Sequence, residues 1–278
     1  MKKKIPKIPK RFNYVEAYLT FRCDLGCDYC INAESGVIRN RKELSAVEWL
    51  EALDKIGFHM PLTLGGGEPT QHRDFYDLVD LVNTPIDLLT NLQFNTDEFI
   101  FRVDPNKFSK SDVPFYHSIR ASFHPTRMDK KDTLKRARKL IDNGFNVGLF
   151  GIMHPYQIND NMEMSFLAQK EGVPFYVKDF LGRIGQKMFG YFKYPEGVDG
   201  FPKTANCRSR ELLIAPDGQV YRCHRDLYHA QGAIGDIRDL QIKDEFRPCT
   251  NYGLCNPCDV KAKTNRFLKG VECQVEIK

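Results

Sequence analysis

Three cysteines, Cys23, Cys27 and Cys30, stand at C-x3-C-x2-C spacing. Thiolates are soft ligands that suit iron–sulfur clusters or zinc. A closed structural site needs four ligands, and the next cysteine in the chain is Cys207. Three thiolates on one loop can each take one iron of a cubane, leaving one iron open to a ligand from outside the chain. Gly26 is expected to let this loop turn tightly around the metal. A second feature follows one strand later, Gly65-Gly66-Gly67-Glu68-Pro69-Thr70. A carboxylate flanked by glycines brings negative charge and backbone carbonyls close to an ammonium group. Six further cysteines lie near the end: Cys207, Cys223, Cys249, Cys255, Cys258 and Cys273. A hairpin with a cysteine at its end, facing a later C-x2-C pair, can close a four-thiolate site for a cluster or for zinc.

The cysteine loop, with Tyr29 before its last cysteine, is similar to the signature of radical S-adenosylmethionine (radical SAM) enzymes. The run at 65–68 resembles the glycine–glutamate motif of the same family. The resemblance covers residues 14–180. It implies that Cys23, Cys27 and Cys30 hold a [4Fe–4S] cluster whose open iron chelates the amino and carboxylate groups of SAM. It further implies that Tyr29, Gly66, Gly67, Glu68, Thr90, Asn91, Ser122 and His124 bind this cofactor. The implied reaction is reductive cleavage of SAM to methionine and a 5′-deoxyadenosyl radical, which takes hydrogen from an unactivated carbon of the substrate. The distal C-x10-G-x4-C run and its cysteine-rich tail resemble twitch and SPASM extensions, which hold one or two auxiliary [4Fe–4S] clusters. The match departs from the full SPASM pattern. Phe246 stands where a cysteine is expected, and C-x2-C replaces the closing C-x3-C. Two divisions stay open. Cys207, Cys223, Cys255 and Cys258 form one cluster, with Cys249 and Cys273 spare, or all six serve two clusters incompletely ligated by cysteine. The first leaves no ligand unidentified. Relatives with such extensions act on peptides or small metabolites, and a flavodoxin or ferredoxin is the expected electron donor. The competing class is a non-catalytic iron–sulfur electron carrier or a zinc-stabilised binding module.

These residues need a scaffold, and the apolar pattern predicts one. Strands are expected at 14–21, 59–64, 86–90, 117–122, 146–152 and 174–180. Helices alternate with them at 73–83, 130–142 and 160–171. A further helix starts at the capping box Ser45–Glu48, with Val47, Leu50, Leu53 and Ile56 at helical spacing. The β-then-α rhythm predicts parallel strands with crossover helices. The expected fold is α/β: a partial (β/α)6 TIM-like barrel with a small cysteine-rich C-terminal extension, a β-hairpin plus a short helix. The motifs follow strand ends, the edge where β/α barrels assemble their sites. The expected divisions are a basic arm at 1–13, the barrel at 14–181, a linker at 182–206 and the auxiliary domain at 207–278. Lys178 and Asp179, His154 and Gln157, and the trio His224, Arg225 and Asp226 are secondary candidates for substrate contact. Phe189, Tyr191, Phe192 and Tyr194 are expected to pack the extension onto the barrel.

Composition sets the outer bounds. With 42% hydrophobic and 28% charged residues in 278, an ordered core is expected. The net charge of +5 is concentrated in Lys2, Lys3, Lys4, Lys7, Lys10 and Arg11, expected to be a solvated tail without a nucleic-acid partner. The chain has no membrane-length apolar run and no signal-peptide pattern, so a cytoplasmic location is expected. In such a reducing compartment nine cysteines are metal ligands or buried thiols rather than disulfides. Few residues precede the first strand, so no leader-binding domain is expected there, and a separate chain would have to supply one.

Overall fold

Every residue of β1 (Tyr14–Thr20) is buried, as befits a parallel strand covered on both faces. The computed structural model describes residues 8–27, 29–30, 37, 40–113, 115–239, 242–255 and 275–278. Beside β1 run β2 (Leu62–Gly66), β3 (Ile86–Thr90), β4 (Ile119–Ser122), β5 (Val147–Met153) and β6 (Phe175–Asp179). All are parallel and adjacent in chain order. The crossovers carry α1 (Ala46–Leu53), α2 (Phe75–Leu81), α3 (Thr96–Arg102), α4 (Lys130–Asp142) and α5 (Ile158–Lys170). This is the expected partial barrel.

The helices differ from expectation in instructive ways. The Ser45–Glu48 capping box opens α1, but the helix buries Ala46, Trp49, Ala52 and Leu53. Val47 is 64% exposed. Fully buried Trp49 sets the face, since it is the largest side chain the core can take up. The sequence pattern did not reveal α3, a short helix that Asn95 starts by accepting from the amides of Asp97 and Glu98. The end of the basic arm is also not a solvated tail. Ile8 and Phe12 are buried in the main core, and Arg11 pairs with Asp244. No helix among the described residues is long and apolar enough to cross a membrane.

Beyond β6 the stretch expected to be a linker holds a hairpin, β7 (Gly182–Ile184) with β8 (Lys187–Phe189), and the start of β9 (Lys203–Ser209). The expected hairpin is β10 (Glu211–Ile214) with β11 (Gln219–Tyr221), turning at Gly218 with φ +84°. Its first strand lies parallel to β1, pairing Tyr14 with Glu211 and Ala17 with Ile214. With β12 (Gly235–Asp236) it extends the barrel sheet to nine strands. The expected short helix is α6 (His224–Tyr228), whose N-cap is Cys223. A separate sheet orders β13 (Arg247–Tyr252), β9 and β14 (Val275–Ile277).

A buried polar knot ties β3 to β4. The carboxylate of Asp87, fully buried, pairs with Arg120 and accepts from Ser109 and from the Tyr116 hydroxyl at 2.5 Å. Removing one member leaves a buried charge uncompensated. Arg120→Ala is therefore expected to lower stability by about 3–5 kcal/mol, read as a fall in the urea midpoint.

Candidate active site

The loop after β1 and the loop after β2 are fastened together through their backbones. The Gly67 amide donates to the Thr20 carbonyl at 2.8 Å, and the Glu68 amide to the Arg22 carbonyl at 2.8 Å. This contact explains the glycines. A Cβ at Gly67 would lie 2.7 Å from the Arg22 carbonyl carbon and 2.8 Å from the Phe21 oxygen. Gly66 has φ +139°, and a Cβ there would press on the Thr20 carbonyl. The glycines thus first accommodate the chain's own cysteine loop, a need additional to the ligand approach expected from sequence. At Gly26, by contrast, an added Cβ would meet no protein atom within 4 Å.

Glu68 is 1% exposed. Its carboxylate accepts from Thr70 Oγ1 at 2.7 Å, Thr90 Oγ1 at 2.9 Å and the Asn91 amide at 2.7 Å. Burial pushes its pKa up, and these donors oppose the rise. Asn91 reaches back to the cysteine loop, where its Nδ2 donates to Asp24 Oδ1 at 2.7 Å. Within that loop the Cys30 amide donates to the Cys27 carbonyl at 3.1 Å. Cys27 is buried, Cys30 half-buried and Cys23 exposed. The Cys23 thiol is pushed up, chiefly by desolvation.

Tyr29 bridges to the far side. Its hydroxyl lies 2.9 Å from His124 Nδ1, and its ring stacks on His154 at 5.4 Å between centroids. Burial holds His124 down to about 4, so its imidazole is neutral near pH 7. Cys23, Cys27, Tyr29 and Cys30 line one cleft of about 300 Å³ with Gly66, Gly67 and Glu68. Thr90, Asn91, Ser122 and His124 complete the same wall. Glu16 and Tyr18 of β1, Leu89, Ile152 and Tyr228 of α6 also line it, and sequence reading did not single them out. For Glu16 the signal was present: a lone acid inside an apolar, wholly buried strand.

The residues suit a cluster and SAM. Among the described residues no three His, Cys, Asp or Glu side chains converge closely enough to hold a single metal ion. A cubane asks for something else, one thiolate at each of several corners, with a cavity beside the open iron. The three cysteines on the rim of a cleft carrying a buried carboxylate meet that description. The Radical SAM superfamily profile matches residues 18–168, more than half of the chain. The chain belongs to the radical SAM superfamily. A [4Fe–4S] cluster and SAM are the cofactors this family implies.

Two curated relatives are matched in part. The PqqA peptide cyclase of Rhizobium meliloti is 39% identical over 80 residues, 27% of this chain and 20% of that protein. The mycofactocin maturase MftC of Mycolicibacterium smegmatis is 26% identical over 121 residues, 42% of this chain and 29% of that protein. The matched segment thus spans less than a third of either relative. Streptococcus suis SuiB bound to its precursor peptide SuiA superposes with a TM-score of 0.53 at 15% identity, covering 89% of this chain and 72% of that one. At that identity the likeness is one of fold.

The distal cysteines are only partly described. Cys207 is buried, and its thiol donates to Cys249, which lowers the Cys249 pKa and raises that of Cys207. Arg222, held by Asp226 at 2.9 Å and by the Arg247 carbonyl at 2.8 Å, places its charge beside Cys207 and Cys223. Cys223 Sγ accepts from the Asp226 amide at 3.4 Å. Cys255 is half-buried and its thiol faces the Asn251 carbonyl at 3.8 Å. Cys258 and Cys273 lie outside the described residues. Among the secondary candidates, His154 stacks on Tyr29 at the cleft, His224 meets Tyr18 edge-on at 6.2 Å, and Lys178 sits over the Phe150 ring. Gln157 precedes α5, Asp179 is exposed, and Arg225 faces Gln231.

Proposed function

We propose that this radical SAM protein modifies a peptide, with its first cluster on Cys23, Cys27 and Cys30 and an auxiliary [4Fe–4S] cluster among the distal cysteines. One observation carries the reading. The cysteine loop, the glycine–glutamate turn and the ends of β3 and β4 share one cleft. When bound, the cluster and SAM supply one-electron cleavage of the sulfonium and a 5′-deoxyadenosyl radical able to take hydrogen from an unactivated carbon.

The chain's own residues have separable tasks. Glu68, buried and fixed by Thr70, Thr90 and Asn91, offers an immobile negative charge to the SAM ammonium. Tyr29 and neutral His124 close the opposite side and exclude water. Cys207, Cys223, Cys255 and Cys258 hold the auxiliary cluster, with the Arg222 charge beside Cys207 and Cys223. The names of the matched relatives, a peptide cyclase and a maturase, support a peptide over a small metabolite. A flavodoxin or ferredoxin supplies the electron.

Anaerobic reconstitution is expected to give about eight irons per chain, four for each cubane. Dithionite with SAM should then release 5′-deoxyadenosine, and its absence from fully reconstituted protein would sink the reading. Glu68→Gln keeps the shape but removes the charge. A hydrogen bond to a charged group contributes about 1.5–3 kcal/mol, so SAM affinity should fall roughly 10- to 150-fold, measured by equilibrium dialysis.

A further inference from the structure

Glu16 has no task in the reading above. It sits mid-strand in β1, opposite Thr63 and two residues before Tyr18, which pairs with Gly65. It is 7% exposed and lines the cleft. A Cβ on Gly65 would stand 2.6 Å from Glu16 Oε1, so the first glycine of the run leaves the room this carboxylate occupies. Glu68, the other acid of the cleft, is saturated by donors from its own chain. Glu16 differs. No hydrogen bond or ion pair from any described residue reaches its carboxylate.

A buried carboxylate without a counter-charge is costly, and it persists where a ligand compensates it. Around it the cleft is apolar and aromatic. Leu89 and Ile152 line it, and so do Tyr18 and Tyr228, whose rings meet edge-on at 6.0 Å. A carboxylate among tyrosine rings favours an organic cation, by charge and by the ring quadrupoles together. SAM's own ammonium is matched by Glu68, just past the end of β2. Glu16 lies deeper along β1, where a substrate side chain rather than the cofactor would reach.

We infer that Glu16 binds a cationic group of the substrate, the ammonium or guanidinium of a basic peptide side chain, and so selects which residue enters the barrel. This rests on the peptide-modifying reading. The test is equilibrium dialysis, on reconstituted full-length protein loaded with SAM, of Ac-Gly-Gly-Xaa-Gly-Gly-amide with Xaa lysine, arginine or norleucine, and of n-butylamine. Wild-type protein should bind the lysine or arginine peptide about 30-fold more tightly than the norleucine peptide. Glu16→Gln should erase that preference while SAM affinity holds. Lysine tighter than arginine names the ammonium, and the reverse names the guanidinium.

Equal binding of the charged and neutral peptides by wild type, or no binding of any probe, overturns the inference. So does a folded Glu16→Gln protein that keeps the preference or loses SAM. Should Glu16→Gln fail to fold, Glu16→Met and the wild-type comparison decide. Glu16-dependent binding of n-butylamine with no peptide bound upholds the cation site and defeats the peptide reading. Charge-blind peptide binding does the opposite.

Discussion

Cys27→Ala is expected to reduce 5′-deoxyadenosine formation to background and to remove about four irons per chain, leaving the auxiliary iron in place. Cys27 is the buried member of the cysteine loop, and its carbonyl, which alanine retains, already accepts from the Cys30 amide. The substitution therefore deletes a thiolate without dismantling the turn. Two thiolates do not hold a cubane whose fourth iron must stay open, so loss of the cluster should be complete rather than graded. Iron analysis with the visible spectrum separates this from misfolding, since the far-UV circular dichroism should stay that of wild type. Cys223→Ala gives the mirror result, with SAM cleavage retained and the distal iron lost. An iron content unchanged in Cys27→Ala would rule out this assignment.

Gly67→Ala should be the most damaging change of a single methyl group. The added Cβ meets backbone atoms, Arg22 C and Phe21 O at 2.7 and 2.8 Å, rather than a side chain that could swing away. The two amide bonds that fasten the β2 turn to the cysteine loop would have to open. Overpacking a rigid site costs about 1–3 kcal/mol and sometimes more, and here the upper end is expected. SAM binding should be lost together with cluster retention, because the same backbone joins both. Gly26→Ala is the control, with open space around the new methyl. Its urea midpoint should match wild type.

Much of this protein was legible in the order of its residues. Cysteine chemistry and spacing are local properties, so Cys23, Cys27 and Cys30 and the turn at 65–68 stood out without any fold. Alternating apolar segments announced the parallel strands, because burial on both faces demands it of β1 to β5. Helix faces were less legible. Val47 and Trp49 are both apolar, and only the core's shape decided that Trp49 went inside.

What tertiary structure alone decided is long-range pairing. That β10, about two hundred residues on, lies beside β1 depends on hydrogen bonds no local pattern encodes. The same pairing brings Tyr228 to the cleft. Nor could sequence say why the glycines are glycines, since the obstacle is the carbonyl backbone of another loop. And Glu16 did not stand out in the sequence. Its meaning comes from what surrounds it: tyrosines, aliphatic walls, and, among the described residues, no cation paired with it.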